Sequence, residues 1–207
     1  MLEMQQDHTR YIIARHGETV LNREHRWQGM GDSPLTEDGA KQAEYLGMSL
    51  RNYNISRIIT SKLPRAIETG RIVAHINGIR NISSSEYLNE RNLGILEGLN
   101  SDEIMKKYAI DFKTITSRDI DILERVEAWK PFVKRIFSYL EEIKREGYKG
   151  TTLLLTHGGV LRAIFNTLTN TYDQRVIFYN CSYMILHPEN ENCTIESINT
   201  LDYMRSR

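Results

Sequence analysis

The chain has 207 residues, 40% of them hydrophobic and 26% charged, values that suit one ordinary globular domain with a substantial core. Basic and acidic residues balance at 27 each, so no global field draws the protein to nucleic acid or to an acidic membrane. Any anion site has to be built locally, from a few converging positive groups.

The N-terminus, Met1-Leu2-Glu3-Met4-Gln5-Gln6-Asp7-His8, is polar and lacks the apolar core of a signal peptide. Apolar runs such as Leu153-Leu154-Leu155 are far too short to span a bilayer, and a cytoplasmic protein is expected. Cys181 and Cys193 do not make a disulfide framework, although they leave room for one bridge.

Short apolar runs alternate with helix-period segments, which predicts βα units and a mainly parallel sheet. Tyr11-Ile12-Ile13-Ala14 reads as the first strand, followed by a polar loop through Trp27, Gly29 and Gly31 to Pro34. Thr36 offers an N-cap to a helix with Ala40, Ala43, Leu46 and Leu50 on one face. Arg57-Ile58-Ile59-Thr60-Ser61 reads as the second strand, and Pro64 suits the first turn of the next helix. A short strand is expected near Ile82.

From Leu88 to Leu123 the pattern is irregular, and these residues are read as an inserted loop with short helices over the site. A long amphipathic helix follows, through Val126, Trp129, Val133, Ile136, Phe137, Leu140 and Ile143, with Pro131 near its start and Gly147 at its end. Thr151-Thr152-Leu153-Leu154-Leu155-Thr156 is the clearest buried strand. The next helix is expected to start near Val160, and strands around Tyr183–Leu186 and Cys193–Ile198 close the chain.

In parallel α/β folds, ligands bind beyond the carboxyl ends of the strands. Three segments in such places carry unusual residues: Arg15-His16-Gly17-Glu18-Thr19, Ser61-Lys62-Leu63-Pro64-Arg65-Ala66 and Thr156-His157-Gly158-Gly159. Together they bring two imidazoles and two guanidinium groups to one rim beside helix N-termini, where free N–H groups favour an anion. Arg15 and Arg65 suit a phosphate, because a planar guanidinium grips two oxygens at once.

An imidazole there is a ligand, a proton shuttle or a nucleophile. A nucleophile has to be neutral, with one nitrogen bare and the other held by a hydrogen bond. Gly17 leaves room beside His16 for a phosphoryl group, and His157 would bind the equatorial oxygens as charge builds. Phosphoryl transfer needs mostly positioning and charge neutralisation, so such a pocket works without a metal or other cofactor. Glu90 is the candidate acid for the leaving oxygen, and then the base for water.

These residues resemble the histidine phosphatase superfamily, also called the phosphoglycerate mutase-like family. The first match runs from Arg15-His16-Gly17-Glu18-Thr19 through Asn22 and Trp27-Gln28-Gly29 to Asp32-Ser33-Pro34-Leu35-Thr36. Ser61 to Thr69, Leu88-Asn89-Glu90 through Glu97-Gly98, and Thr156-His157-Gly158-Gly159 supply three more, in the family's order and spacing.

The resemblance implies a single domain over 1–207, a three-layer α/β/α sandwich with a mainly parallel central sheet and a lid inserted at roughly 92–123. It implies His16 as phospho-acceptor, Arg15, Arg65 and His157 as the phosphate clamp, and Glu90 as proton donor. Asn22, Gln28 and Gly29 would lie near the bound phosphoryl group or substrate.

Departures from the mutase pattern favour a phosphatase. Ser101 stands where the mutases carry a lysine, Leu93 where they carry a tyrosine, and Arg118 has no paired arginine. A shorter, more open lid favours water as the acceptor. The Gly-Glu-Ser element of many phosphatases has no clear copy, with Glu127 nearest to its place.

Arg65 has Glu68 within reach on its own helix, Glu90 has Arg91 beside it, and Asn22 and Gln28 would serve equally to tie down a loop. His8, His25, His75 and His187 read as structural or exposed. A metal between His16 and His157 is disfavoured, because arginines repel a dication and further ligands are missing. A silent phospho-ligand-binding module is the competing class, but neither nucleophile nor acid is lost.

The expected substrate is a small phosphate ester, with a glycolytic acid, a sugar phosphate, a cofactor precursor and a phosphoprotein all open. No nucleic-acid or membrane partner is expected, and a homodimer stays open.

Overall fold

Tyr11, Ile12, Ile13 and Ala14 are all buried, although successive side chains of a strand point to opposite faces. Such a strand needs cover on both sides, and the computed structural model supplies it. Residues 9–111, 125–171, 176–188 and 193–199 are described.

Strands β1 (Arg10–Arg15), β2 (Ile55–Ser61), β3 (Ile82–Ser85), β4 (Thr151–Thr156), β5 (Tyr183–Pro188) and β6 (Cys193–Asn199) form one six-stranded sheet in the order β3-β2-β4-β1-β5-β6. β4 pairs in parallel with β1 and β2, and β3 with β2. β5 and β6 add an antiparallel edge. The helices are α1 (Val20–Arg23), α2 (Glu37–Ser49), α3 (Pro64–Asn77), α4 (Ser101–Tyr108), α5 (Trp129–Arg145) and α6 (Gly158–Thr169).

Tyr11, Ile13 and Leu154 pack with Phe132, Ile136 and Leu140 of α5 and with Leu161 and Ile164 of α6. Ile12, Ala14, Leu153 and Leu155 face the other way, onto Ala43 and Leu46 of α2 and Val73 of α3. Alternate residues of the same strands thus feed two cores, and the result is the expected three-layer sandwich. No helix among the described residues is long and apolar enough to cross a membrane.

Local signals set the helix ends. The Thr36 hydroxyl accepts from Gly39 N at 2.9 Å to start α2, and Pro64 opens α3. Pro131 lies in the first turn of α5, and Gly147, at φ 65°, follows its end. Helix α6 begins at Gly158, two residues before the predicted Val160, because His157 is itself the extended N-cap residue, at φ −133° and ψ 164°.

The segment expected to form a lid is described as far as Asp111. Its apolar centre is Leu93, Leu96 and Ile104, with Trp27 packed against it. A capping box between Asn100 and Glu103 starts α4. Arg118 and the stretch to Leu123 lie outside the described residues.

Candidate active site

β4 lies between β1 and β2, so the carboxyl ends of the three strands sit side by side. The chain leaves β1 at His16, whose N–H donates to Thr156 O at 3.0 Å while its carbonyl accepts from Cys181 N at 3.2 Å. The ring is 3% exposed. Its Nδ1 lies 2.7 Å from the Gly17 carbonyl, and Arg65 Nε lies 3.2 Å from its Nε2.

A carbonyl only accepts and a guanidinium only donates, so both contacts select one form of the ring. The proton is on Nδ1, and Nε2 carries the lone pair. Burial drives the His16 pKa well below 6.5, and the charges of Arg65 and Arg15 push the same way against the Gly17 hydrogen bond. The imidazole is neutral at physiological pH.

Arg65, in the first turn of α3, is 1% exposed. Its Nη1 and Nη2 donate to the carbonyls of Gly31 and Gly29 at 2.7 and 2.8 Å. Burial lowers its pKa to about 10, opposed by the Glu90 carboxylate, and it stays charged at neutral pH. The weighed pairing with Glu68 does not form; Glu68 lies 3.7 Å from Arg71 instead. Thr69 donates to Arg65 O at 2.8 Å and accepts from Gly17 N at 3.0 Å, tying the helix to the loop after His16. Arg15 donates from Nη1 to Phe178 O at 2.7 Å and lies against Gly158.

His157 is fully buried, 5.2 Å from His16 between ring centroids. Burial comes first, then the positive charges of Arg65 and Arg15, in holding its pKa well below 6.5. Its Nε2 meets Ser61 Oγ at 2.7 Å, and its buried Nδ1 has no hydrogen-bond partner among the described residues.

Glu90 reaches the same corner. Its Oε2 accepts from Gly159 N at 3.0 Å, and its Oε1 accepts from Arg91 N at 2.9 Å. The Arg91 side chain goes elsewhere, donating to Glu127 O at 2.7 Å and lying over Trp129. Arg135 on α5 holds the Glu90 backbone by donating to its carbonyl at 2.9 Å, and to Tyr87 O at 2.8 Å. Glu127 anchors that guanidinium through Nε at 2.8 Å.

His16, His157, Arg15, Arg65 and Glu90 therefore share one corner of the fold. Asn22 reaches it indirectly: Asn180 Nδ2 lies 3.1 Å from both Asn22 Oδ1 and His16 O. Asn22 also caps α1 with Thr19, so its loop-tying role is real. Gln28 is 7% exposed, with Oε1 lacking a hydrogen-bond partner among the described residues. Gly29, at φ +52°, turns its carbonyl to Arg65 and packs so closely on Glu97 that a side chain there would collide. Glu97 accepts from Met30 N at 2.9 Å and from Leu93 N at 3.1 Å, joining the lid to this loop.

Asn180, Arg135 and Glu97 are positioning groups that sequence reasoning left without a role. Glu97 stands in a quoted motif, and Arg135 is a cation on the long helix eight residues after Glu127, whereas Asn180 carries no signal. His25 and His75 are exposed, and His187 bonds Glu196 at 2.6 Å. His8 lies outside the described residues. Among the described residues no three His, Cys, Asp or Glu side chains gather as a metal site.

Known proteins share this arrangement of sequence and fold. The sequence profile of the histidine phosphatase superfamily (branch 1) matches residues 11–201. The chain is 32% identical to 2,3-bisphosphoglycerate-dependent phosphoglycerate mutase 2 of Bacteroides thetaiotaomicron, across 82% of this chain and 81% of that protein. It is 26% identical to phosphoserine phosphatase 1 of Hydrogenobacter thermophilus, across 91% and 90%. Among solved structures, Bacillus stearothermophilus YhfR superposes with a TM-score of 0.84 at 31% identity, covering 91% of this chain and 95% of that one.

Proposed function

The chain belongs to the histidine phosphatase superfamily, and on that premise we propose that it hydrolyses small phosphate monoesters through a phosphohistidine on His16. The observation that carries this reading is the state of His16: neutral, with Nδ1–H bound to Gly17 O and the lone pair on Nε2 beside a buried guanidinium.

In the first step Nε2 attacks phosphorus, a P–N bond forms and the ester P–O bond breaks. Glu90, as the acid, gives its proton to the departing oxygen. In the second step the Glu90 carboxylate takes a proton from water, whose oxygen attacks phosphorus as the P–N bond breaks. Inorganic phosphate leaves, and neutral His16 and protonated Glu90 are restored. Arg15, Arg65 and His157 offset the charge that collects on the phosphoryl oxygens. Gln28 and Gly29 line the loop held by Arg65, and Asn22 braces the His16 carbonyl through Asn180.

Water is the acceptor on this reading because the lid does not follow the mutase pattern. Ser101, in place of a lysine, takes the Trp27 indole N–H at 3.3 Å, and Leu93, in place of a tyrosine, is buried in the lid's apolar centre. A phosphoglycerate mutase is the second reading, favoured by the 32% identity to a mutase across most of both chains.

The deciding experiment is hydrolysis of an aryl phosphate with chelator present, by wild type and His16→Ala, alongside a phosphoglycerate interconversion assay primed with bisphosphoglycerate. Turnover lost in the variant, with interconversion absent, supports the phosphatase. Equal hydrolysis by both proteins removes His16 as nucleophile, and interconversion outpacing hydrolysis assigns a mutase.

A further inference from the structure

We propose that Ser61 is a positioning residue for His157: its hydroxyl donates to Nε2 and fixes the tautomer whose Nδ1–H is left to bind a phosphoryl oxygen. The role in turnover rests on the phosphohistidine reading above; the tautomer does not.

The hydrogen bonds around Ser61 admit two arrangements. Its hydroxyl has one proton and two lone pairs. One lone pair is taken by Leu63 N–H, at 3.2 Å from Oγ, and His157 Nε2 lies 2.7 Å away. If Nε2 carried the proton, Oγ would accept twice, and its own proton would have no acceptor among the described residues in a side chain that is 0% exposed. The ring would then also turn a bare Nδ1 lone pair into a buried space, where it has no donor.

If Ser61 donates, its hydroxyl accepts once and gives once. The single unmet group is then Nδ1–H on a fully buried ring. A phosphoryl oxygen satisfies an N–H and is repelled by a lone pair, so only this second arrangement suits an anion pocket.

Burial keeps His157 neutral, so the choice lies between two neutral tautomers and falls to the hydrogen-bond partner. The neighbouring ring is fixed by the same means in a matching sense. Gly17 O takes the Nδ1 proton of His16, leaving Nε2 bare for attack. One imidazole thus presents a lone pair and the other, 5.2 Å away, an N–H. Ser61 ends β2, and Leu63 N–H belongs to the turn into α3, so the geometry that places Arg65 also orients the hydroxyl.

The test is a long-range nitrogen–proton correlation spectrum of the full-length protein labelled at histidine, with His157 assigned by the signals lost in His157→Gln. Wild type should show Nδ1 protonated and Nε2 bare, with Nδ1–H shifting as inorganic phosphate is added. Ser61→Ala should move the ring toward the Nε2-protonated form and lower kcat on an aryl phosphate at least about tenfold. Ser61→Thr, which restores a hydroxyl, should recover both.

A wild-type spectrum with Nε2 protonated overturns the proposal without any variant, and so does an unchanged tautomer in folded Ser61→Ala. A changed tautomer with undiminished turnover removes the positioning role. If wild type does not hydrolyse aryl phosphate, the phosphatase reading fails alone, and the spectrum with its phosphate response still decides the tautomer.

Discussion

Gly158 and Gly159 follow His157 in one turn of helix yet face different neighbours. A Cβ at Gly158 would stand 3.6 Å from Arg15 Nε, an ordinary contact. At Gly159 it would run into the Glu90 carboxylate, which is bonded to that residue's own N–H. Gly158→Ala should therefore keep near-wild-type turnover. Gly159→Ala should displace the carboxylate and lower kcat on alkyl phosphates by on the order of a hundredfold, the usual contribution of a positioned acid. The loss should shrink on nitrophenyl phosphate, whose leaving group needs no proton. Steady-state kinetics of both variants on both esters check this, and equal losses on the two esters would remove Glu90 as proton donor.

Helix α5 holds the Glu90 segment through Arg135. That guanidinium binds the carbonyls of Tyr87 and Glu90 while Glu127 holds it in place. Arg135→Met keeps much of the stem and removes the donors. It should lower kcat about tenfold by loosening the segment that aims the acid, while Arg135→Lys, with one remaining ammonium, should fall between. Turnover by the Met variant equal to wild type would leave the bridge a purely structural brace.

What was legible in the sequence follows a physical line. Thr151–Thr156 is legible to the residue, because Gly150 on one side and Gly158-Gly159 beyond His157 on the other bound a short run of threonine and leucine. His16, Arg65 and His157 were legible because each stands at a strand-to-helix junction. The start of α6 was not, since His157-Gly158-Gly159 offers no capping side chain, and only the backbone turn at His157 sets it. Asn180 was invisible for another reason: it reaches His16 O across 164 positions of chain, from a segment with no motif. Ser61 stood in a recognised motif, but which ring it touched depended on β2 lying next to β4.

For the molecule as a whole, the two buried imidazoles tie stability to pH. Burial and the arginine charges depress the folded-state pKa of both rings below 6.5. The unfolded chain thus binds more protons as pH falls. This contribution is fully present above 6.5 and is lost as pH drops below it, by at most about 1.4 kcal/mol per pH unit for each ring. Urea unfolding of wild type and His157→Gln between pH 7 and 5 should show a shallower decline in the variant. Parallel declines would mean that His157 charges in the folded protein.

The strand order also has a consequence in time. β1 and β2 do not pair with each other; β4, which begins at Thr151, lies between them and pairs with both. A chain growing from its N-terminus therefore carries His16 and Arg65 long before the strand that lies between β1 and β2 exists. Contacts of such long sequence separation form slowly. His157 follows β4 directly, so a half-made chain holds His16 and Arg65 but not the corner they share with it.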